Sequence, residues 1–281
     1  MMAIKIPKSI LSVLLLGLLV VCQPMTAFTA DIGTTVVGGE RAASGAWPWM
    51  VGLIDSDQDP LSSHFCGGSL ISPTWVLTAA HCLDGEEHAY NVHVVIGLND
   101  LGAPGNSYER IAVARIIMHP NYAHDDGDND IALMELSRAS GHVPVTGLID
   151  KENEAALAGP GAMATVIGWG STDPKGEATT RWLMQAQVPI VSQAACERAF
   201  PGDIDQTMIC AGYTQGGKDA CPGDSGGPLV VSDGNGGYAQ AGIVSWGGNT
   251  CAKAGEYGVY SRVSANREWI AQYVKQQRQA D

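Results

Sequence analysis

Short apolar segments alternate with turn residues along the chain after residue 35. Segments of this length, bounded by Gly, Pro, Asn and Asp, are typical strands of a β-sandwich or barrel. The clearest are Ser69–Leu77, Val92–Leu98, Ile111–Met118, Ile131–Leu136, Ala164–Trp169, Leu183–Val191, Pro228–Val231 and Gln240–Trp246. Between the last two, Asp233–Gly237 reads Asp-Gly-Asn-Gly-Gly and predicts a hairpin. The pattern therefore predicts an all-β fold.

The clearest helical pattern lies near the end of the chain, from about Ala265 to Gln277. Trp269, Ile270, Tyr273 and Val274 recur there at helical spacing, which places them on one face. We therefore predict a C-terminal helix that packs this face onto the body of the protein.

The first thirty residues have the pattern of a signal peptide. Lys5 and Lys8 precede an apolar run, Ile10–Val21, and small residues follow it. The run is shorter than the roughly 20 residues of a membrane span, and no later stretch is long enough either. We therefore predict a signal peptide over residues 1–30 and a secreted protein, extracellular or, in a bacterium, periplasmic.

The chain is acidic. Its 281 residues include 16 Lys+Arg and 29 Asp+Glu, a net charge of −13, and 45 % are hydrophobic, which is enough for a substantial core. Phosphate binding requires a basic surface, so we expect no nucleic-acid partner. The negative charge is compatible with cationic substrates.

Six of the seven cysteines follow the predicted signal peptide. The seventh, Cys22, would suit a lipoprotein, but Val21 is larger than the small residue expected before a lipidated cysteine. An even count after an export signal predicts three disulfides. A metal site is the alternative, but neither a C-x-x-C pair nor an H-E-x-x-H motif occurs, so we expect no metal and no cofactor. The six are Cys66, Cys82, Cys196, Cys210, Cys221 and Cys251.

Three short stretches carry candidate chemistry: Ala79–Cys82 with His81, Asn129–Leu133 with Asp130, and Gly223–Pro228 with Ser225. Taken singly, each has a structural explanation: a hydrogen-bonding histidine, one more aspartate in an acidic loop, and a serine in a glycine-rich turn. Taken together, they supply a hydroxyl, an imidazole to take its proton, and a carboxylate to orient the imidazole. The glycines would also expose the backbone N–H groups that an oxyanion hole requires.

With these and further motifs in the same order, the chain resembles the chymotrypsin/trypsin family over residues 36 to 275. The resemblance implies two six-stranded antiparallel β-barrels, about 36–147 and 148–281, with a C-terminal helix and an active site in the cleft between them. The further motifs are Val36–Gly39, Trp47–Trp49, Cys66–Leu70, Gly168–Gly170, Ser245–Gly247 and Gly258–Tyr260.

The resemblance assigns the catalytic roles. Ser225 would be the nucleophile, His81 its general base and then acid, and Asp130 the carboxylate that orients the imidazole. The N–H groups of Gly223 and Ser225 would form the oxyanion hole. The implied disulfides are Cys66–Cys82, Cys196–Cys210 and Cys221–Cys251.

The resemblance also implies a specificity pocket. Asp219 lies where trypsin-like members keep an aspartate, which selects a long cationic side chain. Ala220 stands where pancreatic trypsins have serine. Without the serine hydroxyl, the ammonium of a substrate lysine loses a partner, whereas the guanidinium of arginine can still reach Asp219. We therefore expect cleavage after Arg in preference to Lys. The other expected pocket residues are Ser245, Trp246, Gly247 and Gly258.

Two ion sites of the family bear on this chain. Tyr257 stands where many members have proline, and members with tyrosine there resemble sodium-responsive proteases; a tolerated turn residue is the alternative that we favour. The loop after Leu98 lacks the paired glutamates of calcium-binding relatives, so we expect no calcium requirement.

Activation departs from the family's pattern. A new N-terminus at Val36 would pair its ammonium with Asp224, but Thr35 precedes it and residues 31–35 contain no basic residue. A protease with the expected specificity should not cut there. Either another protease removes a short propeptide, 31–35, or export processing trims closer to Val36.

The sequence thus predicts a monomeric secreted endopeptidase made as a zymogen, with protein substrates, and with protein inhibitors and an activating protease as partners. A protease-fold binding protein without catalysis is the alternative, although such homologues usually lose a triad residue. An α/β-hydrolase esterase would need the order Ser, Asp, His, whereas this chain has His81, Asp130, Ser225.

Overall fold

The architecture follows from a computed structural model, which describes residues 36–85, 88–102, 108–176 and 179–274. The expected signal peptide (1–30) and propeptide (31–35) lie outside the described residues. None of the helices in the described ranges is long and apolar enough to cross a membrane.

Strands make up most of the described secondary structure, as the sequence predicts. The strands are β1 Glu40–Arg41, β2 Met50–Asp55, β3 His64–Ser72, β4 Trp75–Thr78, β5 Val92–Ile96, β6 Glu109–Met118, β7 Ala132–Leu136, β8 Gly147–Leu148, β9 Met163–Gly168, β10 Met184–Pro189, β11 Met208–Ala211, β12 Pro228–Ser232, β13 Tyr238–Trp246 and β14 Gly258–Arg262. The helices are α1 Pro60–Ser63, α2 Glu154–Leu157, α3 Gln193–Ala199 and α4 Val263–Val274, and single 3-10 turns cover Val36–Gly38 and His81–Leu83.

The first barrel is a closed antiparallel sheet with the strand order β2-β3-β4-β7-β6-β5. Apolar residues such as Leu53, Leu77 and Leu133 fill its interior with no exposed surface. The segment Ser69–Leu77, which the pattern predicts as one unit, is divided between β3 and β4. Pro73 lies in the turn between them, because proline has no N–H to donate to a ladder.

The second barrel has the strand order β10-β9-β12-β13-β14-β11. A single bridge between Ile190 and Ala211 joins the two ends of this path, so six strands form a circuit. The Asp233 turn joins β12 to β13 as a hairpin, and its carboxylate accepts N–H bonds from Asn235 and Gly237. The prediction of an all-β fold with two six-stranded barrels is confirmed.

Each end of the described chain packs across to the other barrel. Near the start, β1 pairs with β10 of the second barrel. At the end, α4 confirms the predicted C-terminal helix, and Trp269 stacks edge-on against His119 of the first half with ring centroids 5.0 Å apart. Tyr273 lies 6.4 Å from the ring of Trp75 on β4. The two barrels are therefore held together by both termini of the domain as well as by their facing surfaces.

A buried hydrogen bond also joins the barrels. The hydroxyl of Ser69 on β3 donates to Oε1 of Gln240 on β13 at 2.6 Å, and neither residue has any exposed surface. The amide Nε2 of Gln240 donates in turn to the carbonyl of Gly242. Both ends of this side chain are thus satisfied inside the interface.

We predict that Ser69→Ala lowers the free energy of unfolding by about 1–3 kcal/mol, because it leaves a buried amide oxygen without a donor. Urea denaturation followed by tryptophan fluorescence measures this. Ser72→Ala is the matched control, since the Ser72 hydroxyl has no hydrogen-bond partner in the described part of the chain. Equal stability losses in the two variants would contradict the prediction.

Candidate active site

His81 and Asp130 meet because their strands are neighbours. In the antiparallel pair β4–β7, Thr78 lies opposite Ala132, so the residues just beyond these ends come together. The His81 N–H donates to Asp130 Oδ1 at 2.8 Å, and the ring Nδ1 lies 2.7 Å from Oδ2. The aspartate side chain is 3 % exposed and the imidazole 31 %. The carboxylate therefore fixes the ring, and Nε2 remains available on the open side.

Asp130 stays acidic although it is buried. Burial favours its neutral form, but hydrogen bonds and charge from His81 and a hydrogen bond from the Ser245 hydroxyl outweigh this and hold its pKa below the ordinary value. Ser261 on β14 donates to the Asp130 backbone carbonyl. The sequence placed Ser245 only in the expected pocket, and its contact with Asp130 emerges from the structure.

Ser225 lies in the turn before β12 and faces the first barrel. Its carbonyl accepts the N–H of Gly67 on β3 at 2.7 Å. A Cβ at the next residue, Gly226, would lie 3.2 Å from Cys82 Sγ, and His81 Nε2 lies 3.7 Å from the same sulfur. The Ser225 turn and the His81 ring therefore both lie beside the disulfide that Cys82 forms with Cys66.

The Ser225 hydroxyl makes no hydrogen bond to His81 among the described residues. Contacts of this kind are often long without substrate and tighten in the complex. The geometry joins His81 and Asp130 directly and places Ser225 beside them.

The turn around Ser225 offers two unpaired backbone donors. The N–H of Asp224 donates to Cys221 O and that of Gly226 to Val244 O, both within 2.9 Å. The neighbouring N–H groups, those of Gly223 and Ser225, have no acceptor in the described part of the chain. Two such donors in one turn are suited to a developing oxyanion.

Asp224 is a fully buried carboxylate. It accepts the N–H of Gly170 at 2.8 Å and of Cys221 at 3.0 Å, and burial nevertheless raises its pKa to about 7. Nearby, the carbonyl of Val37 accepts the N–H of Asp219 at 3.3 Å, so the Val36–Gly38 turn lies against this part of the site. Arrival of a cation at Asp224 would favour its ionised form.

A cavity of about 240 Å³ beside Ser225 has Asp219 at its floor. Asp219 Oδ2 accepts the N–H of Ala252 at 3.0 Å, whereas Oδ1 is buried with no partner in the described residues. Burial raises the Asp219 pKa to about 6. A Cβ at Gly258 would lie 2.7 Å from Oδ1, so only glycine leaves this floor open. The cavity is also lined by Ala220, Ser225, Ser245, Trp246, Gly247 and Gly258.

The described residues contain three disulfides, and they are the pairs that the resemblance implies: Cys66–Cys82, Cys196–Cys210 and Cys221–Cys251. The first ties β3 to the His81 turn, and the third joins two walls of the Asp219 cavity. Cys66, His81 and Cys82 also lie close enough together to suggest a metal site. Because the two sulfurs are bonded to each other, neither is a thiolate that could bind a metal.

Tyr257 is buried immediately before β14, beside the Asp219 cavity. Its hydroxyl lies 3.2 Å from the Thr214 hydroxyl, within hydrogen-bond distance. This contact gives the side chain a structural partner.

Comparison with known proteins identifies relatives of this chain. The family model described as Trypsin matches residues 36–270. Trypsin of Squalus acanthias is 40 % identical over 240 residues, which are 85 % of this chain and 96 % of the shark protein. Trypsin-1 of Astacus astacus is also 40 % identical, over 84 % of this chain and 98 % of the crayfish protein. The suppressor of tumorigenicity 14 protein homolog of Bos taurus is 39 % identical over 84 % of this chain, but the match spans only 28 % of that longer protein.

We predict that Gly170→Ala disrupts the Asp224 turn, because its Cβ would lie 2.4 Å from the carboxylate. Overpacking of this kind typically costs about 1–3 kcal/mol. Thermal unfolding and titration with a covalent serine reagent would show a lower melting temperature and a smaller reactive fraction. Gly147→Ala is the control, since its Cβ would meet nothing closer than 3.9 Å. A fully reactive Gly170→Ala protein would show that the close approach is not needed.

Proposed function

The chain belongs to the trypsin family of serine proteases, and we propose that it is a secreted endopeptidase that cleaves after arginine and, less readily, after lysine. The observation that carries this specificity is Asp219 Oδ1, a buried carboxylate oxygen without a partner in the described chain, at the floor of a cavity next to Ser225.

The chemistry is acyl transfer through Ser225. With Nδ1 of His81 held by Asp130, Nε2 accepts the Ser225 proton as the hydroxyl oxygen attacks the peptide carbonyl. The N–H groups of Gly223 and Ser225 stabilise the tetrahedral oxyanion. The imidazolium then protonates the leaving amine, and the same groups act on water to hydrolyse the acyl-enzyme. The ionised Asp130 stabilises the imidazolium at each stage.

The primary pocket favours a long cationic side chain. A guanidinium presents two parallel N–H donors to a carboxylate and can engage Asp219 directly. A lysine ammonium is a compact point charge that needs additional acceptors, and the methyl group of Ala220 supplies none. The preference for arginine therefore follows from one carboxylate and one missing hydroxyl.

Export and activation complete the proposal. Residues 1–30 act as a signal peptide and 31–35 as a short propeptide, leaving a protease domain that starts at Val36. The new ammonium pairs with Asp224, whose burial makes it costly to ionise alone. This ion pair orders the turn that carries Gly223 and Ser225. Because Thr35 precedes the cut, the activating protease has a different specificity.

A catalytically silent binding protein is the second candidate for this fold. Against it stand the complete set His81, Asp130 and Ser225 and the open Asp219 cavity. A protein that only binds its partner has no need of an ionised buried carboxylate behind an imidazole.

Matched peptides ending in Arg, Lys or Phe test the reaction and its specificity. With the N-terminus verified as Val36, we expect kcat/KM for Arg to exceed that for Lys roughly tenfold, the value of one hydrogen bond to a charged group, and negligible cleavage after Phe. Ser225→Ala should lower activity at least about a thousandfold. Ala220→Ser should narrow the Arg/Lys ratio by restoring an acceptor.

Equal rates on Arg and Lys would rule out the role given to Ala220. A protein with a verified Val36 N-terminus that cleaves none of the peptides would support the binding-protein alternative.

The pKa of Asp219, about 6, predicts the pH dependence of cation binding. Only the ionised carboxylate attracts a cation, so binding of benzamidine should be strong above pH 6. Below pH 6, its dissociation constant should rise about tenfold per pH unit as Asp219 takes up a proton. Calorimetry between pH 4.5 and 8 measures this, with benzyl alcohol as the neutral control. A flat profile for benzamidine, or one that persists in Asp219→Asn, would contradict the assignment.

A further inference from the structure

A second and larger cavity, of about 860 Å³, adjoins the primary pocket. It reaches from His81 and Asp130 to the loop that follows α3. Ser245 and Trp246 line both cavities, so the two form one continuous cleft.

The walls of this cavity are acidic. Three aspartates come from the segment just before Asp130 and two from the loop after α3, and no lysine or arginine is among the lining residues of the described chain. We call this group, Asp125, Asp126, Asp128, Asp203 and Asp205, the acidic cleft. The two walls belong to different barrels, so the negative charges face each other across the substrate groove.

The acidic cleft is poorly neutralised. Burial, together with the charges of Asp205 and Asp126, raises the pKa of Asp128. Among the described residues, the basic side chains on the walls are His81, which is held by Asp130, and the exposed His124, which lies 3.3 Å from Asp125. Asp205 accepts hydrogen bonds from the N–H and the hydroxyl of Thr207, and Asp125 pairs with His124. In the described part of the chain, the carboxylates of Asp126, Asp128 and Asp203 have no such partner and are available to an incoming cation.

Gly127 packs against the indole of Trp246 at the wall of this cavity. It lies between the aspartates with φ +70°, and a Cβ there would come within 2.9 Å of Trp246 Nε1. Any larger residue would therefore push against the tryptophan that forms the shared wall. The glycine therefore lets the aspartate-bearing segment approach the tryptophan closely.

The adjoining pocket supplies a second observation, which points to a cationic ligand. Asp219, in the adjoining pocket, is 6 % exposed and has an oxygen with no partner in the described chain, which marks the position of one cationic side chain. The residue that occupies this pocket lies on the acyl side of the cleaved bond. Since Trp246 continues the pocket wall into the acidic cleft, the proposed reaction would place the preceding substrate residues along the aspartates.

On the basis of the proposed function, we propose that the acidic cleft selects substrates with further basic side chains among the three residues that precede the arginine at the cleavage site. The substrate class is then a cluster of basic residues in a protein, rather than an isolated arginine. Opposite charges in a groove partly shielded from water attract more strongly than on an open surface.

The test compares arginine with citrulline, which has nearly the same shape but no charge. All the fluorogenic peptides have an arginine immediately before the cleaved bond. Each pair of peptides differs at one further position, which holds either Arg or citrulline. That position is one of the three before the arginine or the first one after the bond. We expect kcat/KM to be at least tenfold higher for Arg at one or more preceding positions, with little effect after the bond. The preference should shrink as choline chloride is raised, because salt screens partly exposed charges.

Asp126→Asn/Asp203→Asn identifies the responsible charges. Both side chains are exposed and make no hydrogen bonds in the described structure, so the fold should tolerate the change. We expect the Arg/citrulline ratio to fall to about twofold. The control, Asp57→Asn/Glu152→Gln, removes the same charge from exposed residues outside both cavities and should retain the full ratio.

Ratios near one at every preceding position, or equal ratios in the two double variants, would overturn the proposal. In that case, cleavage of the citrulline-containing peptides after their shared arginine would show that the proposed function holds although the inference about the acidic cleft does not. Failure to cleave any peptide would instead remove the proposed function itself, and with it this inference.

Discussion

The active site depends on one buried carboxylate, Asp130, where the two barrels meet. From its own barrel it receives the backbone N–H and the ring of His81. From the other barrel it receives the Ser245 hydroxyl, while its carbonyl accepts the Ser261 hydroxyl. An ionised group can be buried only if hydrogen bonds replace its water, so both barrels must be in place before it is satisfied. The interaction that orients the imidazole therefore also joins the barrels.

Three buried aspartates of this site have different pKa values because their hydrogen-bond partners differ. Asp130 has enough donors to keep its pKa below the ordinary value, and in the proposed mechanism it stabilises the imidazolium of His81. Asp224 has two backbone donors and no cation in the described chain, so burial raises its pKa to about 7. Asp219 has one oxygen without a partner in the described chain and a pKa of about 6. In the proposed function, the substrate supplies its cation.

Glycine and disulfides make these close approaches possible. Gly170 lets the Asp224 carboxylate approach a backbone N–H, and Gly258 keeps the floor of the primary pocket open. The Cys66–Cys82 bond lies beside both the His81 ring and the Ser225 turn. Small residues and covalent ties thus hold polar loops at the edge of two apolar barrels, which supply the rigidity that a preorganised site requires.

Much of this could be predicted from the sequence. Alternating short apolar segments and turn residues indicated the β fold, and helical spacing indicated α4, because both patterns record which face of a local element is buried. The resemblance to the family implied catalytic roles for His81, Asp130 and Ser225, and it implied that Asp219 determines specificity. The pattern of short apolar segments did not locate the break in Ser69–Leu77, and it did not single out β2 or β11.

Other features were decided by tertiary structure alone. The contact of Ser245 with Asp130, the packing of each end of the domain on the opposite barrel, and the unpaired oxygen of Asp219 join residues far apart in the chain. The acidic cleft is the plainest case. Its aspartates form two separate runs in the sequence, each of which looks like a solvated loop. Only the packing of one barrel against the other makes them opposite walls of one groove, because electrostatic interactions depend on distance in space and not on separation along the chain.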